Sequence, residues 1–349
     1  MEGSGRREKA VRNLLYAWLN QGVMLIMNIV VRIVFVRVLS KEYLGLSGLF
    51  GNIISLLSLP ELGVGTAIVY SLYEPLANRD EDTICTLMRF YKRVYIAVGT
   101  AILVIGALLM PFLPFFIKDM PDIPEIRQIY LLFVVNSAAS YFFSYKSSLI
   151  SADQSDYLIK KVKLWVTLVM YILQIGILLL SGNYCLFLLV QIGATVSQNV
   201  AGSWLADRMY PFFSNKTVNT MPEALLRQIW KNTRALMLHK VGDIMVFSTD
   251  NLIISKFVGL AEVGIYSNYT LIQQALNSIL SQIFTSMTAG VGNLGVLETS
   301  EKKCEVFKRV FFLNAWIYGF CSISFGCMAQ DFIRAFFGES FTIGHGVLA

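Results

Sequence analysis

The sequence predicts an all-α polytopic membrane protein built as two parallel-repeat helical lobes, the second of them truncated. Three observations carry that prediction. Apolar residues make up 55% of the 349 residues and charged ones only 15%, where a soluble domain carries about 25% charged residues. Mean hydropathy is +0.59, and the apolar residues gather in runs of about 20, enough to cross a hydrocarbon core of roughly 30 Å. Short stretches of the first third also recur, in order, in the last third.

The first run, about 12–38, follows Arg6-Arg7-Glu8-Lys9. It is too long for a signal-peptide core, lacks an A-x-A cleavage site and contains Arg32, so it reads as the first span. Gln21, Asn28 and Arg32 fall on one helix face at i, i+7 and i+11. A charge within a span costs roughly 2.5–3.5 kcal/mol on insertion scales, so it faces protein or a wet cavity, or snorkels to the interface. Asn28 continues the stripe inward and favours the cavity, where both residues would meet an anionic substrate group.

The second run, about 43–73, contains Leu59-Pro60-Glu61-Leu62-Gly63 at its middle. Proline frees a carbonyl and glycine permits a bend. Broken helices at membrane depth are tolerated where they line a cavity, which makes Glu61 a candidate for ion coupling or gating. The third run covers about 90–117. The fourth, about 126–150, carries Ser137, Ser140, Ser144, Ser147 and Ser151, with Lys146 as a further candidate for binding an anionic group. The fifth and sixth runs cover about 162–182 and 185–208.

A longer connection, about 209–235, contains Pro222-Glu223 followed by Leu225, Leu226, Ile229 and Trp230 on one face. It reads as an amphipathic helix on the membrane surface, or as a plain connector. This divides the chain into a six-helix lobe (1–208), a cytoplasmic amphipathic linker (209–235) and a partial second lobe (236–349).

The seventh run, about 236–257, places His239, Asp243 and Asp250 on one face, with Lys240 beside them. Asp243 and Asp250 are candidates for binding a coupling proton or Na⁺, or for pairing with a cation such as Arg32. Lys240 joins Arg32 and Lys146 as a substrate-binding candidate. The eighth run, about 263–290, carries Gln273, Asn277, Ser281 and Thr285 at i+4 steps, suited to sugar hydroxyls or to bonding between helices. Gly290-Val291-Gly292-Asn293-Leu294-Gly295 matches G-x-G-x-x-G without the strand-then-helix context that dinucleotide binding requires, and is predicted as a helix exit turn. A ninth run covers about 307–329. A tenth begins near Phe341, so the sequence reads as a fragment cut within an apolar segment.

Orientation follows from the Lys and Arg bias. With the N-terminus inside, the inner segments and adjoining helix ends hold 20 Lys and Arg residues and the outer ones 6. The repeat shows at an offset of 219, where Arg12-Asn13 aligns with Lys231-Asn232 and Leu44-Gly45-Leu46 with Val263-Gly264-Ile265. It also shows at 216, where Phe90-Tyr91-Lys92-Arg93-Val94-Tyr95 aligns with Val306-Phe307-Lys308-Arg309-Val310-Phe311. Six predicted spans separate the copies, so both keep one orientation, as in parallel-repeat transporters.

Other classes fit poorly. The net charge of +6 sits in short clusters between apolar runs, without the contiguous basic face that nucleic acid requires. Five scattered cysteines and two histidines form no CxxC pair, metal-ligand spacing or nucleophile–base pattern, so neither a metal nor another cofactor is expected, nor an enzyme.

Three stretches carry a resemblance: Val38-Leu39-Ser40-Lys41-Glu42-Tyr43-Leu44-Gly45-Leu46-Ser47-Gly48-Leu49-Phe50, Leu59-Pro60-Glu61-Leu62-Gly63-Val64-Gly65-Thr66-Ala67-Ile68-Val69-Tyr70-Ser71-Leu72-Tyr73, and Asp250-Asn251-Leu252-Ile253-Ile254-Ser255-Lys256-Phe257-Val258-Gly259 running on to Gly264-Ile265-Tyr266-Ser267-Asn268-Tyr269. Together they resemble the polysaccharide-transport branch of the multidrug/oligosaccharidyl-lipid/polysaccharide (MOP) exporter superfamily. The resemblance implies two six-helix lobes around a central cavity, alternating access, and a multi-pass place in the bacterial inner membrane. It implies flipping of undecaprenyl-pyrophosphate-linked oligosaccharide for O-antigen or exopolysaccharide assembly, among membrane lipids and other polysaccharide-assembly proteins. A pyrophosphate would then meet Arg32, Lys146 and Lys240, and sugars the polar stripes of Asn28, Gln273 and Asn277. The rivals are a drug/cation antiporter of the same superfamily and a flippase for the peptidoglycan precursor. A membrane-embedded polymerase or ligase would need a large outer loop, and every outer loop here is short.

Overall fold

The structure, a computed structural model, describes the backbone except at residues 1, 59–63, 119–120, 124, 143, 215–220, 298–299 and 344–349. Side chains are described at those backbone positions other than 2–11, 13–14, 213–214, 224, 228, 235–236, 238–240, 243–247, 282–297, 300 and 303. The described residues are helical almost throughout and include no strand. They form two compact units, Met1–Leu260 and Ala261–Ala349.

The first unit holds α1 (Glu2–Val38), α2 (Lys41–Leu57), α3 (Val64–Asn78), α4 (Glu81–Leu109), α5 (Leu113–Phe116), α6 (Ile126–Phe142), α7 (Tyr145–Ala152), α8 (Asp156–Ser181), α9 (Tyr184–Met209), α10 (Glu223–Phe247) and α11 (Asp250–Phe257). The second is built from α12 (Leu260–Leu297) and α13 (Ser300–Phe337). Among the described residues, five segments are long and apolar enough to cross a membrane: Leu15–Val38, Glu81–Phe116, Asp156–Ser181, Tyr184–Met209 and Cys304–Phe337. The second, fourth and seventh expected spans are broken pairs: α2 with α3, α6 with α7, and α10 with α11. The architecture is the expected all-α, polytopic one.

Several boundaries differ from expectation for local reasons. The third span starts at Glu81 rather than near 90, because Asp80 caps it. Its carboxylate accepts from the Thr83 backbone N–H at 3.1 Å, and Glu81 and Asp82 complement the positive helix end. Asn183 caps α9 in the same way, and Gly182, at φ +60°, ends α8 in the left-handed conformation a glycine adopts freely. Residues 290–295 form no exit turn: α12 stays helical to Leu297. Glycine costs a helix about 1 kcal/mol per residue, which tertiary context routinely outweighs. From Glu223 onward, the stretch 222–231 is the beginning of α10. Ile229 is buried in the core and Leu225 packs against it, so that face meets protein while Trp230 is exposed.

The repeat is sharper in the helices than in the sequence. A single offset of 219 carries the end of α1 at Val38 to the end of α11 at Phe257, and the start of α2 at Lys41 to the start of α12 at Leu260.

Lipid chains are as apolar as leucine, so helix association in a bilayer relies on close packing at small residues. A Cβ on Gly106 would strike Val134, and one on Gly99 would lie 3.2 Å from Phe142, so these glycines let α4 approach α6. At the break between α10 and α11, the carbonyl of buried Ser248 accepts a 2.9 Å hydrogen bond from the Asn52 amide of α2. A neighbouring helix thus satisfies backbone that the break releases.

Beyond the end of α9, the Tyr210 hydroxyl donates to Asp153 at 3.0 Å. Burial, the negative charge of Asp153 and this hydrogen bond together push the phenol above its ordinary value. The folded phenol therefore holds its proton more tightly than the unfolded one. Its contribution is complete below about pH 10 and is lost as pH climbs further. Tyr210→Phe is expected to flatten the alkaline loss of stability, read as denaturation midpoints from about pH 8 to about pH 11.

Candidate functional site

A cavity of about 450 Å³ opens between α3, α4 and α7. Helix α3 contributes Gly65, Thr66, Val69, Tyr70 and Tyr73, one face at helical spacing. Helix α4 contributes Tyr91 and Tyr95 one turn apart, and α7 contributes Ser147, Ser148 and Ser151. Beneath them lies a packed cluster including Ile68, Leu72, Leu87, Met88 and Leu149, which anchors the three helices to one another.

The lining is mostly apolar surface that carries a set of hydroxyls. The Tyr91 hydroxyl donates to that of Tyr95 at 2.7 Å and shares a 3.2 Å hydrogen bond with Ser148 Oγ. Ser151 Oγ donates to Asp156 Oδ1 at 2.7 Å. Among the described lining residues, eight of ten carry a hydroxyl and none carries a charge. Of these, the serine stripe was legible at the fourth span. The four tyrosines were not singled out, although Tyr70/Tyr73 and Tyr91/Tyr95 stand at i+3 and i+4.

Lys146, next to the cleft on α7, holds both carboxylate oxygens of Asp207 on α9, at 2.6 and 2.7 Å. Its charge is matched inside the protein, by a partner the sequence reading had not considered. A Cβ on Gly202 would strike Ser147, so α7 and α9 pack closely beside this pair. Both side chains keep solvent access, so Asp207→Ala is expected to cost no more than about 1 kcal/mol. Combining it with Lys146→Met in a double-mutant cycle of thermal stability measures the coupling.

The other expected site residues fall in different places. Arg32 is half-buried on α1, within electrostatic reach of Tyr184 at the start of α9. Tyr184 shares a short hydrogen bond with Ser47 and packs edge-on against Phe35 and Tyr43. Asn28 accepts from the Tyr171 hydroxyl at 2.9 Å, tying α1 to α8. Asp250 sits in the first turn of α11, where an acid favours the helix. In the second unit, Gln273 is exposed, and Asn277 accepts from the Tyr318 hydroxyl of α13 at 3.3 Å. Glu61 lies outside the described residues, as do the side chains of His239, Lys240 and Asp243.

No protein-family model matches the chain, and no curated protein matches it in sequence. Among solved structures it is similar to one described as the inward-facing conformation of a multidrug resistance MATE family transporter of the MOP superfamily. The two share 13% identity at a TM-score of 0.63, over 92% of this chain and 73% of that one. At that identity the likeness establishes the fold: the chain has the all-α, multi-pass fold of a membrane transporter.

Proposed function

We propose that the chain is not an enzyme but a flippase. It carries undecaprenyl-pyrophosphate-linked oligosaccharide from the cytoplasmic to the outer leaflet of the bacterial inner membrane, for O-antigen or exopolysaccharide assembly. The observation that carries this reading is the cleft between α3, α4 and α7, lined by hydroxyls and aromatic rings with no carboxylate among the described residues. A sugar offers hydroxyls that serine and tyrosine can both donate to and accept from, and an apolar ring face that lies on an aromatic ring. The sequence resemblance points the same way, and the fold supports transport without choosing the cargo. The Lys and Arg bias favours a cytoplasmic N-terminus. Arg32 and Lys240 remain proposed contacts for the pyrophosphate. Glu61, Asp243 and Asp250 remain proposed sites of coupling to H⁺ or Na⁺, or of gating pairs.

The solved transporter, described as a multidrug one, favours a second reading as a drug/cation antiporter. Expression in two bacterial strains separates the two readings. A strain lacking its own saccharide flippase is expected to regain surface polysaccharide, while a strain lacking its drug exporters gains no resistance to ethidium. The reverse pattern would replace the flippase by the antiporter.

A further inference from the structure

We infer that the cleft is a saccharide subsite selective for neutral sugar rings, with Tyr70 and Tyr73 as its stacking surface; this rests on the transport of a saccharide proposed above. The tyrosines divide into two kinds. Tyr91 and Tyr95 are buried, at 1% and 8% exposure, while Tyr70 and Tyr73 are open, at 64% and 48%. The buried pair holds its hydroxyls in a fixed chain with Ser148. The open pair stands edge to face, with ring centroids 6.0 Å apart. One ring face is therefore available as a floor and the other as a wall. A volume of about 450 Å³ lies within the roughly 300–1,000 Å³ of small-molecule sites.

Selectivity for neutral sugars follows from the charges around the cleft. Among the described residues that line the cleft none is charged, so an acidic sugar would lose its hydration there without gaining a cation. The nearest lysine on α7, Lys146, is already held by Asp207. Ser151, a lining residue, is bonded to Asp156, whose other oxygen holds Lys160 at 2.7 Å. Asp153 follows two residues further along and is bonded to Tyr210. Lys146 and Lys160 on the α7 side of the cleft are thus each held by a carboxylate of the protein, which leaves a carboxylate ligand to compete for them while a neutral ligand needs no cation.

The test reads binding without transport. Thr66 is an exposed lining residue, so Thr66→Cys serves as a reporter in the full chain in nanodiscs, with the two exposed cysteines, Cys304 and Cys327, changed to serine. Maltotriose at several times its Kd is expected to slow maleimide labelling of the reporter about five-fold, and trigalacturonate to leave it unchanged. Tyr70→Ala should remove the protection and Tyr70→Phe should keep it. Equal protection by both sugars, protection that survives Tyr70→Ala, or protection by undecaprenyl phosphate alone would overturn the inference. Saturation-transfer NMR on the unsubstituted chain gives the same comparison without a reporter. Absent protection with intact translocation overturns the subsite alone; protection without translocation overturns the flippase reading alone.

Discussion

Gly45→Val is expected to destabilise the protein by about 3 kcal/mol or more, the upper range for overpacking a tight contact. A Cβ at this position on α2 would drive into the carbonyl oxygen of Leu260, the last residue of the first unit. Backbone cannot swing aside as the end of a flexible side chain can, so the helix itself must move. Gly51, two turns along the same helix, has nothing within 4 Å of its would-be Cβ. Gly51→Ala is therefore expected to leave stability unchanged or raise it by up to about 1 kcal/mol through helix propensity. Thermal unfolding of both variants in nanodiscs makes the comparison, and equal losses would place the close approach elsewhere.

Asn52→Leu carries the second large effect, a loss of about 1–3 kcal/mol from an unsatisfied buried carbonyl. The Ser248 carbonyl sits at the break between α10 and α11, and Asn52 is its described hydrogen-bond partner. Asn52→Asp is the sharper variant, because a carboxylate can only accept and would face another acceptor. Faster amide exchange is expected around residues 248–252, with the rest of α2 unchanged. Uniform acceleration along α2 would mean that Asn52 supports its own helix rather than the break.

The helical, membrane-spanning character was legible because long apolar runs have few alternatives. The breaks were legible only in part. Leu59-Pro60 announced an interruption, whereas Ser248-Thr249 carries no proline or glycine and depends on the cap from Asn52, which no local pattern reveals. Helix starts were read late wherever capping acids such as Asp80 and Glu81 looked like loop. Among the expected site residues, Lys146 was found as a charge within a span, but Asp207 lies 61 residues away on another helix, so the pairing needed the packing of α7 on α9. The tyrosine cleft was missed for a similar reason. Tyr70 and Tyr91 each look like ordinary amphipathic membrane residues, and only the meeting of α3 with α4 and α7 sets them around one space.

The flippase reading is tested most directly by the leaflet in which a lipid-linked saccharide resides. Proteoliposomes holding the chain and a fluorescent undecaprenyl-pyrophosphate oligosaccharide are to be probed with a membrane-impermeant lectin or quencher. Quenching that rises well beyond the outer-leaflet share, and falls back at equal protein level in Arg32→Gln, is the predicted result. Quenching confined to the outer-leaflet share in wild type, together with efflux of a cationic dye from the same vesicles, would contradict it.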